Sequence, residues 1–163
     1  MTIQKATMEQ FDQILQMYAY ARKLMRKTGN PTQWGSGYPS ADTIRNDIEK
    51  GQSYLVMKEE TPCGVFVFII GDDPTYRIIE NGSWLNDCPY GVVHRVASAG
   101  TAKGVLAAAL GYCEGKVANI RIDTHQDNKI MQHLLEKHGY IRCGIIYTHD
   151  GTPRIAYQKS LPQ

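Results

Sequence analysis

The segment from Gly91 to Tyr140 constrains this chain more than any other. It reads as a strand (Val92-Val93-His94-Arg95-Val96-Ala97), a turn of small residues from Ser98 to Gly104, and a helix running on from Val105. A second strand follows at Asn119-Ile120-Arg121-Ile122-Asp123, then Asp127-Asn128 and a helix ending at Lys137-His138-Gly139-Tyr140. A strand that feeds a helix through residues with almost no side chain leaves backbone N–H groups bare at the helix N-terminus. Such a terminus binds anions, phosphates above all, because its first amides lack partners and the helix dipole adds positive potential. The expected ligand is a phosphate-bearing small molecule.

Bulk properties bound the remaining choices. A length of 163 residues suits a single domain over residues 1–163. A formal net charge of +2 lacks the electrostatics of a nucleic-acid binder. Cys63, Cys88, Cys113 and Cys143 lie far apart, with no C-x-x-C and no tight Cys/His cluster, so no metal site is expected. They read as reduced thiols of a reducing compartment. Met1 to Lys5 has no apolar leader, and the longest apolar run, Val65 to Ile70, is too short to cross a bilayer. The expectation is a cytoplasmic protein with no membrane or nucleic-acid partner.

Along the chain, Thr7-Met8-Glu9-Gln10 has the form of a capping box. Met8, Phe11, Ile14, Leu15, Tyr18, Leu24 and Met25 then recur at helical spacing until Gly29-Asn30-Pro31. Ser40 caps a short helix bearing Ile44 and Ile48, and strands are expected at Ser53–Lys58 and Val65–Ile70. Gly29–Pro39 and Thr75–Pro89 are irregular segments rich in aromatics, and Ile141–Thr148 and Arg154–Lys159 form a closing antiparallel pair.

Ala99-Gly100-Thr101-Ala102-Lys103-Gly104 fits neither the Walker loop nor the dinucleotide fingerprint. Its spacing resembles the pyrophosphate loop of the GNAT superfamily of acetyl-CoA-dependent N-acetyltransferases, written [QR]-x-x-G-x-[GA]. Ala102 and Gly104 take the two small positions, and Ala99 stands where the family carries Gln or Arg. The family's later motif, roughly N-x-x-A-x-x-L-Y-E-K-x-G-F, is matched by Asn128, Leu134, Glu136, Lys137 and Gly139, with Met131 and Tyr140 as conservative changes.

The resemblance implies an α/β fold of GNAT type. A mixed, mostly antiparallel sheet would be splayed between the strand at His94 and the strand at Asn119, with helices on both faces. It implies transfer of an acetyl group from acetyl-CoA to a small-molecule or peptide primary amine by direct attack, with no metal. A homodimer follows by analogy only. The cofactor is expected on the backbone of His94, Arg95, Val96, Ala99, Gly100, Thr101, Ala102, Lys103, Gly104 and Val105, and near Asn128. Leu135 occupies the position where many members carry a Tyr proposed to protonate the departing thiolate. A CoA thiol near the cysteine value of about 8.5 leaves with little help, and a Leu135→Tyr change is expected to fit.

The attacking amine must be neutral, so some group takes its proton. His94 is one candidate, because histidine changes charge near neutrality; a packed bystander is its plain alternative. Glu80 is the second candidate. Asp123 and His125 suit a cofactor-side or turn-capping role. Trp34, Tyr38, Tyr76 and Trp84 are expected to line the acceptor pocket, or else to pack. Arg95, Lys103, Lys116, Arg121 and Lys129 cluster in the cofactor half, while Asp72, Asp73, Glu80 and Asp87 outnumber Arg77 over residues 72–89. Two rivals stand beside this reading: a degenerate, non-catalytic CoA-binding module, and a dinucleotide-dependent oxidoreductase using Asp123 as its ribose-binding acid.

Overall fold

The period-two segments of the chain become strands and the longer-period segments become helices. The computed structural model describes residues 1–162; residue 163, the last of the expected domain span, lies outside them. In chain order come β1 (Thr2–Lys5), α1 (Phe11–Lys27), α2 (Ala41–Glu49), β2 (Ser53–Lys58), β3 (Thr61–Ile70), β4 (Gly91–Ser98), α3 (Val105–Glu114), β5 (Asn119–Thr124), α4 (Lys129–Lys137), β6 (Ile141–Tyr147) and β7 (Pro153–Ser160). The strands form one seven-stranded sheet in the order β1-β2-β3-β4-β5-β7-β6. β1 with β2, β2 with β3, β5 with β7 and β6 with β7 pair antiparallel, and β4 runs parallel to β5. The mixed, mostly antiparallel α/β architecture is the expected one.

Local chemistry explains most boundaries. The Thr7 amide donates to Gln10 Oε1 at 2.8 Å and the Glu9 amide donates to Thr7 Oγ1 at 3.3 Å, which closes the capping box on a 3₁₀ turn ahead of α1. α1 buries Ile14, Met17, Tyr18 and Ala21, whereas Met8 and Leu24, expected in the apolar stripe, lie exposed. Ser40 Oγ accepts from the Thr43 amide at 3.1 Å to start α2, and Asn128 Oδ1 accepts from the Met131 amide at 3.0 Å to start α4. β3 begins at Thr61, earlier than the expected Val65. Pro62 reads as a strand breaker, but here it pairs with Met57 beside a register shift, where a missing N–H is tolerated.

The chain gathers into two compact units, one of Met1–Phe68 with His94–Tyr112, the other of Ile69–Val93 with the chain from Cys113 onward. The first has a core of Ile14, Met17, Tyr18, Ala21, Ile44, Ile48, Leu55, Met57, Val65 and Ala97. The second packs Tyr76, Tyr90, Val92, Ile146 and Ala156, with Ile79 and Trp84 against them. Within the second, the parallel ladder from β4 to β5 covers Gly91 with Ile120 and Val92 with Arg121, and goes no further. Among the described residues no helix is long and apolar enough to cross a membrane.

Candidate functional site

His94–Ser98 of β4, the small-residue turn and α3 as far as Tyr112 belong to the first unit. Gly64 on β3 leaves the space into which the first residue of α3 fits. A Cβ on Gly64 would stand 2.4 Å from Val105 Cγ1 and 3.1 Å from the Ala97 carbonyl oxygen. The turn between them uses left-handed backbone at Gly100 (φ 77°) and Gly104 (φ 86°), which glycine adopts without steric cost. Tyr20 of α1 packs so closely on Gly100 that a Cβ there would meet its Oη at 2.4 Å. The Gly100 amide donates to Ser98 Oγ at 3.1 Å. The next four amides, of Thr101, Ala102, Lys103 and Gly104, donate to no acceptor among the described residues. They sit at the head of a ten-residue helix, where the dipole adds positive potential. That donor set fits a pyrophosphate.

Arg95 is the third left-handed residue here, at φ 50°, in the middle of β4. Its guanidinium donates to both oxygens of Asp47, from Nε at 2.9 Å and Nη2 at 2.6 Å, and from Nη1 to Tyr38 Oη at 2.9 Å. Its carbonyl accepts from Tyr18 Oη at 2.8 Å. Burial alone would lower the pKa of Arg95, but the hydrogen bonds to Asp47 hold it above the usual arginine value. The side chain is therefore committed to α2 and the 29–39 loop, and only its backbone is left for a ligand. Trp34 packs edge-on against Tyr18 and Tyr38, at 5.7 Å and 6.3 Å between ring centroids. His94 and Val96 are half-buried on the same strand.

The second unit holds the other expected residues. Tyr76 is 1% exposed and donates to Asp123 Oδ2 at 2.6 Å, and Trp84 Nε1 donates to the Tyr76 carbonyl at 2.8 Å. Arg121 lies between two rings, its guanidinium carbon 4.2 Å from the Trp84 centroid and 4.0 Å from that of Tyr90, and donates to the Asn86 carbonyl. Its Nε has no hydrogen-bond partner among the described residues, and burial lowers its pKa. Tyr76, Trp84 and Arg121 are thus packed against one another. Glu80 is exposed; its backbone bridges Ile145 of β6 and its Oε2 accepts from Tyr147 Oη at 3.1 Å. The acids of this region are committed locally too, Asp72 to Arg77 and Asp73 to the turn at Thr75. His125 is buried and its Nδ1 accepts from the Asp127 amide at 3.0 Å.

Leu135 corrects one expectation. It is fully buried in α4, so a tyrosine there would have to displace the packing around it, at a cost of about 1–3 kcal/mol. The residues that sequence reasoning missed are Gly64, Tyr18 and Asp47. Asp47 had a legible signal: a carboxylate between Ile44 and Ile48 on the buried face of a helix needs a cation.

Among the described residues no group of His, Cys, Asp and Glu could hold a metal ion. No family profile and no curated protein matches the chain. Solved structures do. An acetyltransferase of the GNAT family from Listeria monocytogenes 4b F2365 is 19% identical, with a TM-score of 0.71 over 98% of this chain and 94% of that one. A ribosomal-protein-alanine N-acetyltransferase from Brucella melitensis is 16% identical, with a TM-score of 0.65 over 99% and 100%. At those identities both show the fold alone. An acetyltransferase of the GNAT family from Streptococcus agalactiae 2603 is 31% identical, with a TM-score of 0.90 over 99% of this chain and 96% of that one. On that match the chain belongs to the GNAT family of acetyltransferases.

Proposed function

We propose that this chain transfers an acetyl group from acetyl-CoA to a primary amine by direct attack. The observation that carries the reading is the row of four unpartnered amides from Thr101 to Gly104 at the head of α3. In this reading the backbone from Gly100 to Gly104, with Val105 as the first helical residue, holds the pyrophosphate, and Ala99 borders it. The β4 backbone at His94, Arg95 and Val96 pairs with the pantetheine amides and donates to the thioester oxygen, where charge develops during transfer. Asn128, whose Oδ1 caps α4, is assigned to the cofactor by family resemblance alone.

His94 is the proposed proton acceptor. It takes the proton that the attacking nitrogen sheds as the C–N bond forms and the C–S bond breaks. Glu80 is the weaker candidate, because its carboxylate accepts from Tyr147 and its backbone is tied to β6. A buried leucine at 135 cannot protonate the thiolate, and a thiol with a pKa of about 8.5 leaves near neutrality without an acid. Trp34, Tyr38, Tyr76 and Trp84 shape the acceptor side mainly by fixing the loops that carry them, since each is engaged in protein contacts.

The test is release of free thiol from acetyl-CoA across a panel of primary amines. Amine-dependent release is expected. Binding of acetyl-CoA with no release for any amine would favour the non-catalytic CoA-binding module instead.

A further inference from the structure

Tyr18 lies on the buried face of α1, 1% exposed, in a core with Ile14, Met17 and Ala21 and edge-on to Trp34. That packing asks only for a ring; a buried phenol needs a partner of its own. It has one, because Tyr18 Oη donates to the Arg95 carbonyl at 2.8 Å. Burial holds the phenol well above the ordinary tyrosine value, against the pull of the Arg95 charge, so it stays a donor. Tyr18, Trp34, Asp47 and β4 from His94 onward all lie in the first unit.

The bond fixes more than a carbonyl. A trans peptide unit is planar, and its C=O and N–H point in opposite directions. The Arg95 carbonyl and the Val96 amide belong to one such unit, so the phenol that holds the first also sets the direction of the second. The pairing of β4 gives that direction independently. The Ala99 amide donates to the Cys63 carbonyl of β3 at 2.9 Å. Amides of an extended strand point alternately to its two sides, so the Val96 amide, three residues earlier, points away from β3. At Arg95 the backbone is left-handed (φ 50°), which breaks the extended run just before that peptide. Regular strand geometry therefore does not hold the plane, and Asp47 holds only the Arg95 side chain. Tyr18 holds the peptide itself.

We propose that Tyr18 is a positioning residue for acyl transfer: its phenol fixes the Arg95–Val96 peptide so that the Val96 amide is aimed at the thioester oxygen. This rests on the acetyltransferase reading above. The amide keeps its proton throughout. It stabilises the charge that gathers on the oxygen as the C–N bond forms and before the C–S bond breaks. Without the hydroxyl the peptide is free to turn, and the donor leaves its target.

The test compares wild type with Tyr18→Phe, which keeps the ring and removes the hydroxyl. The expected result is a kcat lowered about tenfold or more, with KM for acetyl-CoA and for the amine unchanged. Isotope-edited infrared spectra of acetyl-CoA labelled at its thioester carbonyl read the same claim without turnover. A hydrogen bond lowers the carbonyl stretch, so the band should lie at lower frequency on wild type than on Tyr18→Phe. Thr7→Ala, which removes the side-chain cap ahead of α1, is the control for stability alone. Its urea midpoint should fall while kcat and the band stay as in wild type. A wild-type kcat in Tyr18→Phe, a band at one frequency in both proteins, or the same losses in Thr7→Ala would overturn the assignment. Failure of the acetyltransferase reading looks different: no amine would release thiol, while the band still shifts between wild type and Tyr18→Phe.

Discussion

Asp47 grips Arg95 by two hydrogen bonds at the residue where β4 turns left-handed. A non-glycine residue in that region costs about 1–2 kcal/mol, and it persists only where its surroundings over-determine it. Here the side chain is held by Asp47 and Tyr38 and the carbonyl by Tyr18. The strand proposed to present its backbone to the thioester is therefore braced from α1 and α2 rather than by its own propensity.

Asp47→Ala leaves the Arg95 guanidinium, whose side chain is only 15% exposed, without its carboxylate. The expected loss is about 3–5 kcal/mol of stability, read as a lower urea midpoint. A variant as stable as wild type would mean that the ion pair does not hold the strand.

Gly64→Ala should destabilise the protein and weaken acetyl-CoA binding together, because its Cβ would collide with Val105 Cγ1 at the head of α3. Adding Val105→Ala removes that collision and should recover part of both losses, leaving the closer approach to the Ala97 carbonyl. A double variant no better than Gly64→Ala alone would place the cost elsewhere. Denaturation midpoints and acetyl-CoA titrations decide it.

The β4–turn–α3 unit is legible in the sequence because a β-rich run gives way to small residues and then to a helix, a pattern local to a dozen or so residues. The left-handed Arg95 is not, because its causes are distant: Asp47 is 48 positions away and Tyr18 is 77. The aromatics of the irregular segments show the opposite error. Trp34, Tyr76 and Trp84 are visible as aromatic content, but nothing local says whether a ring faces a ligand or a neighbouring ring. Arg121 reads as a free cation until Trp84 and Tyr90 close on it. Leu135 reads as a vacant catalytic position, yet α4 turns it wholly into the core.

His94→Ala should lower kcat/KM by about a hundredfold or more if the imidazole takes the proton of the amine. The acidic limb of the pH–rate profile should disappear with it, while acetyl-CoA affinity holds. A loss of affinity matching the loss of rate would make His94 a cofactor-positioning residue, and Glu80 the better proton acceptor.

His125 predicts how stability responds to acid. Burial, then the charge of Arg154, pulls its pKa below the unfolded histidine value of about 6.5, against the opposing pull of Asp127. The unfolded chain then binds more protons just below that pH, so stability should fall as the pH drops from about 6.5 and level off once the folded pKa is passed. Protonation also removes the Nδ1 acceptor from the Asp127 amide. His125→Asn should flatten this part of the stability curve. Urea midpoints that fall equally in both proteins would assign the acid sensitivity to other groups.

The central claim is that the bare amides from Thr101 to Gly104 hold the pyrophosphate of acetyl-CoA. Its most direct measurement is the rise in Tm that acetyl-CoA produces by binding the folded state, in wild type and in Gly104→Glu. A Cβ at Gly104 meets nothing within 4 Å, so the variant has room to fold despite the strained φ. It also brings a carboxylate to the phosphate position. The account predicts a clear rise in wild type and none in a folded Gly104→Glu protein. An equal rise in both would contradict it.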